Sequence, residues 1–232
     1  MNLSGKVVAV TGGFGQLGIA VAQAALAAGA SVAALDVAPS PADPKALANA
    51  LTLGGVDLAE PAAAARALDT VAAKLGGLYA LVNVAGTFRW QTLEQGNVDT
   101  WDLLYRVNLR SAVSASCAAL PLLLRAGSGR IVNVGAAAAA VKAGTGMAAY
   151  TASKAGVLKL TEALADEVKD RGITVNAVLP SVIDTPANRA DMPKADFTRW
   201  VTPRDVANVV LFLLSDEARA VTGALLPVMG RV

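Results

Sequence analysis

Seven short runs rich in Val and Leu, near residues 6–11, 31–36, 51–56, 78–84, 129–135, 173–179 and 224–228, alternate with longer Ala-rich segments of helical length. This alternation constrains the fold more than any other feature, because it is the pattern of βαβ units that build a parallel sheet. Runs such as Val7–Val10 and Leu81–Val84 are nearly continuous in apolar character instead of alternating with polar residues. Strands of that kind are covered on both faces, so helices must flank the sheet on each side. Apolar residues spaced three and four apart predict these helices near 16–28, 61–75, 100–125, 149–171 and 203–215, with Gly29 and Gly172 just beyond two of the ends. The expected architecture is therefore α/β, a doubly wound parallel sheet of about seven strands in one domain over residues 1–232.

Several function classes are excluded early. Lys and Arg number 20 against 18 acidic residues, with no basic patch to follow a phosphate backbone, so no nucleic-acid partner is expected. The opening MNLSGKVVAV runs straight into a strand without the features of a signal peptide. Gly, Pro or charge interrupts each apolar run before the roughly 18 residues that a spanning helix needs, so no membrane partner and a cytoplasmic location are expected. Cys117 is the single cysteine and there is no histidine, which rules out an intrachain disulfide, a Cys/His metal centre and a Ser-His-Asp triad. Acid–base chemistry falls to Tyr, Lys, Asp or Glu.

The first strand ends in Thr11-Gly12-Gly13-Phe14-Gly15-Gln16-Leu17-Gly18 and passes directly into a helix. Gly12, Gly15 and Gly18 allow a tight turn and close approach to a pyrophosphate, while Phe14, Gln16 and Leu17 place backbone donors at the helix N-terminus. This is the Rossmann pattern of dinucleotide binding. The second strand ends at Asp36, whose carboxylate suits the two adenosine ribose hydroxyls and repels the extra phosphate of NADP. No Arg follows it and residue 13 is Gly, so NAD, as NADH, is the expected cofactor. Further on, Tyr150 and Lys154 stand four apart and share one helix face, where an ammonium near a phenol favours the ionised phenol. Tyr150 is then the candidate proton donor and Lys154 its partner.

On these residues the chain resembles the short-chain dehydrogenase/reductase family over essentially its whole length. Tyr150-Thr151-Ala152-Ser153-Lys154 is similar to its Tyr-x-x-x-Lys signature. Asp57-Leu58 resembles its adenine-edge contact, and Asn83-Val84-Ala85-Gly86 resembles its Asn-x-Ala-Gly element. Asn108 falls where the family places an Asn that shapes a proton-relay water. Pro180 to Thr185, with Val182 and Ile183, resembles the segment that lies against the nicotinamide. The resemblance implies a small-molecule substrate, a second task for Lys154 in holding the nicotinamide ribose, and a homodimer or homotetramer built through the helices around 100–125 and 149–171.

One departure redirects the substrate expectation. The family places a Ser after the fifth strand to help polarise a carbonyl, whereas this chain reads Ile131-Val132-Asn133-Val134-Gly135-Ala136-Ala137. Losing one such donor costs on the order of 100–1000-fold in turnover. The Gly-rich turn, the Gly135–Ala137 stretch, Gly146-Met147 and the run Asp184-Thr185-Pro186, Asn188-Arg189, Met192-Pro193, Ala195-Asp196-Phe197 and Trp200 resemble one branch, the quinonoid dihydropteridine reductases. A quinonoid dihydropterin is already electrophilic and needs less polarisation. Reduction of an ordinary carbonyl or oxidation of a secondary alcohol, and an NAD-binding regulatory role, remain as alternatives. Phe88, Trp90, Met147 and Trp200 are candidates either for an apolar wall near the nicotinamide or for core and interface.

Overall fold

The computed structural model describes all residues, 1–232. Its centre is an all-parallel sheet of β1 (Val7–Thr11), β2 (Ser31–Leu35), β3 (Leu51–Leu53), β4 (Ala80–Asn83), β5 (Gly129–Val134), β6 (Ile173–Pro180) and β7 (Leu225–Val228), in the order β3-β2-β1-β4-β5-β6-β7. Helices α1 (Gln16–Ala27), α2 (Pro61–Leu75), α3 (Val98–Leu104), α4 (Ser111–Ala126), α5 (Ala137–Ala140), α6 (Ala148–Val168), α7 (Pro186–Asp191) and α8 (Pro203–Leu214) surround it. Every residue of β1, β4, β5 and β6 is buried, as expected for strands covered on both faces.

Successive strand residues feed opposite layers because a strand's side chains alternate. Val8 and Val10 pack with Val21 and Ala25 of α1 and Val206 and Val210 of α8. Val7 and Ala9 join Leu68 of α2, Ala115 and Leu123 of α4, and Leu164 of α6 on the other face. The small alanines let the helices lie close to the sheet, which a core poor in aromatics requires.

Two differences from expectation bear on the site. β3 stops at Leu53, short of the expected residue 56, because Gly54 and Gly55 follow and it is an edge strand paired only with β2. The expected helix over 100–125 is instead α3 and α4 joined through a π-helical turn, Tyr105–Arg110. Together they form one continuous run, Val98–Ala126, of 29 residues, whose most apolar 18-residue stretch has mean hydropathy 1.4. That stretch is long and apolar enough to cross a membrane by length and composition, although Arg106, Arg110, Pro121 and Arg125 interrupt the run as the sequence led us to expect. Here it packs with α2 and α6.

The strand order reverses between β1 and β4, since the chain runs outward through β2 and β3 and then returns. The C-terminal ends of strands at such a switch point diverge, and the crevice between them is where open α/β sheets bind ligands.

Candidate active site

A cleft of about 720 Å³ opens at that crevice. Its wall contains Gly12, Gly15, Gln16, Leu17 and Gly18 from the β1–α1 turn, and Asp36, Asp57 and Leu58 beyond β2 and β3. Ala85 and Gly86 after β4, Tyr150 and Lys154 on α6, Pro180 at the end of β6, and Ile183 and Thr185 beyond it are the other expected residues along it.

The turn is built for an elongated anionic group. A side chain at Gly18 would drive its Cβ to within 2.1 Å of the Gly12 carbonyl oxygen, so close helix–strand packing forbids one. At Gly15 a Cβ would meet nothing nearer than the Gly12 carbonyl oxygen at 3.5 Å. Packing thus leaves that position free, and the missing side chain leaves open space in the cleft. Gly15 is also the N-cap of α1 without a capping side chain, and no acidic residue occupies the first turn. The N–H groups there keep their donors for a ligand.

Asp36 is held by two backbone donors, Phe14 N–H to Oδ2 and Ala38 N–H to Oδ1, both at 3.0 Å. Each carboxylate oxygen keeps a lone pair for a diol. Asp57 accepts from the Ala59 N–H through Oδ1 and pairs with Arg106 through Oδ2, while Arg106 also reaches Glu60. These residues fit a dinucleotide: Asp36 would hold its adenosine ribose, the α1 N-terminus its pyrophosphate, and Lys154 its second ribose.

At the other end Tyr150 and Lys154 stand on α6. Lys154 is buried, with its Nζ donating to the Val134 carbonyl at 2.7 Å, and burial lowers its pKa to about 8. One of its three donors is used by the chain. Burial raises the Tyr150 pKa to about 12, against the expected lowering by the neighbouring ammonium. The physical reason is desolvation of the phenol, which no neighbouring charge offsets.

Four expected residues lie off the wall. Phe14 packs its ring against the core and contributes its N–H to Asp36. Asn83 is buried beneath the cleft, donating from Nδ2 to Asn133 Oδ1 and Ser116 Oγ, which ties β4 to β5 and α4. Asn108, in the π-helical turn, accepts from the Thr87 N–H at 2.7 Å and donates to the Thr87 carbonyl and Ser153 Oγ. All three of its hydrogen bonds fix the loop after β4 against α6. The Val182 carbonyl accepts from the Val201 N–H. Of the apolar candidates, Phe88 lines the cleft, Trp90 sits against Gly146, and Trp200 is buried.

Sequence reasoning missed Thr87, Arg106 and Ser111, which no local motif marks, and gave no role to Ser181 and Asn188 within the runs it singled out; all five line the cleft. Thr87 and Ser181 follow the C-terminal ends of β4 and β6, so the rule that ligands sit beyond those ends was the available signal.

Comparison with known proteins gives the chain's family. The short chain dehydrogenase family model matches residues 6–196. The 4-formylbenzenesulfonate dehydrogenase of Comamonas testosteroni is 37% identical, covering 99% of this chain and 98% of its own. The 3-oxoacyl-(acyl-carrier-protein) reductase of Escherichia coli and the 2-(S)-hydroxypropyl-CoM dehydrogenase 3 of Xanthobacter autotrophicus are each 34% identical over 99% of the chain, and 98% and 97% of their own lengths. The crystal structure of gox2181 superposes with a TM-score of 0.92 at 30% identity, covering 99% of this chain and 96% of that one. By sequence, fold and the cleft that the two create together, the chain belongs to the short-chain dehydrogenase family, as an oxidoreductase of that type.

Proposed function

We propose that the protein uses NADH to reduce a small, already electrophilic acceptor, with a quinonoid dihydropterin as the leading candidate. The observation that carries this reading is the strand end after β5. Gly135 lines the cleft there, and Ala136 and Ala137 are buried behind it, where the family's pattern has a hydroxyl. The hydroxyl protons of Ser181 and Ser111 go to the carbonyls of Met229 and Val107, while Thr87 and Thr185, which keep theirs, stand after β4 and β6 and not after β5. Tyr150, on the same helix as Lys154, is the proton donor of this reading. A quinonoid dihydropterin regains conjugation as it is reduced, so one donor suffices. The cofactor supplies the hydride; Lys154 holds position and charge beside the phenol.

NADH is favoured over NADPH because the Asp36 carboxylate faces the ribose end and Arg106, a cation on that part of the wall, is paired with Asp57 and Glu60. Exchanging Asp36 for Ser is expected to narrow the NADH-over-NADPH preference by roughly tenfold or more, the scale of hydrogen bonds to a charged group. Fluorescence titration of both cofactors checks this, and a parent protein that prefers NADPH would overturn it.

A second reading, reduction of a ketone or oxidation of an alcohol, is favoured by the relatives, whose names specify oxoacyl, formyl and hydroxypropyl substrates. Steady-state kinetics with quinonoid 6-methyldihydropterin and with ethyl acetoacetate separates the two. We expect kcat/KM with the pterin to be higher by roughly the 100-fold or more that an absent second donor costs a ketone. Efficient ketone turnover with no pterin reduction would sink the pterin reading. The exposed Trp101, Leu103 and Tyr105 of the helix through 98–126 suit the proposed homodimer or homotetramer interface.

A further inference from the structure

The loop leaving β4 is fixed at two points on either side of Phe88. At Thr87, the Asn108 side chain bonds both the N–H and the carbonyl, at 2.7 and 3.0 Å. At Gln91, the N–H donates to the Gly146 carbonyl at 2.9 Å. Beside that second bond the Trp90 indole lies against the Gly146 α-carbon. A Cβ at residue 146 would come within 2.3 Å of Trp90 Cε2 and 2.4 Å of Nε1, and Gly146 also has a φ of +73°. Glycine meets both demands at once, close approach and left-handed backbone.

Between the two fixings, the Phe88 ring stands edge-on to Tyr150, centroids 5.0 Å apart and planes at 82°. Phe88 and Tyr150 both line the cleft, whereas Trp90 is absent from its wall and 59% exposed. The indole is therefore neither core nor cleft surface, and its close partner is a glycine just ahead of α6, the helix that carries the phenol.

We propose that Trp90 is a positioning residue: seated on Gly146, it latches residues 87–91 to the loop ahead of α6 and so fixes Phe88 against Tyr150. This rests on the reading of Tyr150 as the proton donor only for its kinetic consequence. A latch on the strap carrying Phe88 acts at the acceptor end and leaves the Asp36 end untouched. Displacement of the reacting groups by an ångström or so costs catalysis about tenfold to a hundredfold.

The test compares Gly146→Ala, Trp90→Ala and the double variant, with Gly127→Ala as control. Gly127 has φ +68° and open space around its α-carbon, so it carries the backbone penalty without an indole. The readouts are amide hydrogen exchange over residues 87–91, NADH binding by fluorescence, and kcat/KM with quinonoid 6-methyldihydropterin and ethyl acetoacetate. Each single variant is expected to speed exchange in the strap and lower kcat/KM by about tenfold, with NADH affinity unchanged and the double no worse than either single, because both break one contact. The control should behave as the parent. Parent-like exchange in Trp90→Ala, losses that multiply in the double, or NADH affinity falling in step would each overturn the latch. Should Gly146→Ala fail to fold, Trp90→Ala and Trp90→Leu carry the test alone. Exchange needs no turnover, so inactivity of the parent with both acceptors would fell the function reading while the latch is still decided.

Discussion

Tyr150→Phe is expected to lower turnover by about a thousandfold, the scale of losing a positioned general acid, while NADH affinity stays nearly constant. The ring that packs edge-on with Phe88 is retained in the variant, so the wall keeps its shape. Burial alone sets the phenol's pKa, with no hydrogen bond from the chain to lose, so the fold should not weaken. A pH profile adds a second mark. The phenol, raised to about 12, stays protonated across the working range, so the limb near pH 8 belongs to Lys154. Reduction should hold steady below about pH 8 and fall above it as the buried ammonium is lost. Stability should move the other way. The folded pKa of about 8 lies below the ordinary 10.5, so between those values the unfolded chain binds more protons and stability rises with pH. Activity falling while the melting temperature holds or rises would separate titration from unfolding. Normal turnover by the Phe variant with the better of the two acceptors would remove Tyr150 from the acid's role.

The strands were legible because both of their faces are covered. Val7–Val10 is apolar whichever face each residue takes, and all of it is buried, whereas Ile173–Leu179 is equally buried but carries Thr174 and Asn176 on one face. The edge was less legible: β3 is paired on one side, so little in Leu51–Val56 marks where pairing ends. The π-helical turn could not be read at all, since Tyr105–Arg110 is an ordinary helical sequence and its extra residue shows only in the backbone. At the site, the glycine turn, Asp36 and the Tyr150/Lys154 pair were visible because spacing within one element fixes their geometry. Asn83 was readable as a motif but not as a place, because its bonds run to Asn133 and Ser116 on elements far along the chain. Arg106 was hidden for the same reason: its partners Asp57 and Glu60 lie 49 and 46 residues earlier in the chain. The opposite surprise, a phenol held up instead of down, is a matter of desolvation, which spacing does not encode.

Ala136→Ser is expected to raise kcat/KM for ethyl acetoacetate by about 100-fold, the value of one oxyanion-type donor, and to change quinonoid dihydropterin reduction by no more than about threefold. A ketone gathers charge on its oxygen as hydride arrives and needs donors aimed at that atom; the pterin spreads its charge over a conjugated ring. Ala136 comes directly after Gly135, which lines the cleft; it is 5% exposed and forms the N-cap of α5 in extended conformation at φ −155°, ψ 140°. Serine is favoured at an N-cap, where its oxygen accepts an N–H from the first turn of the helix. That bond uses a lone pair and leaves the hydroxyl proton to donate, so capping would orient the new group without consuming it. It also offsets the cost of placing a hydroxyl in a buried position. Ala137→Ser serves as the comparison, because position 137 is already inside α5 and its hydroxyl would turn back on the helix. Equal gains for ketone and pterin would mean that the hydroxyl acts on the fold and not on the developing charge. No gain for the ketone, from a parent that already reduces it well, would mean that Tyr150 alone stabilises an alkoxide, and the alanines after β5 would then say nothing about the acceptor.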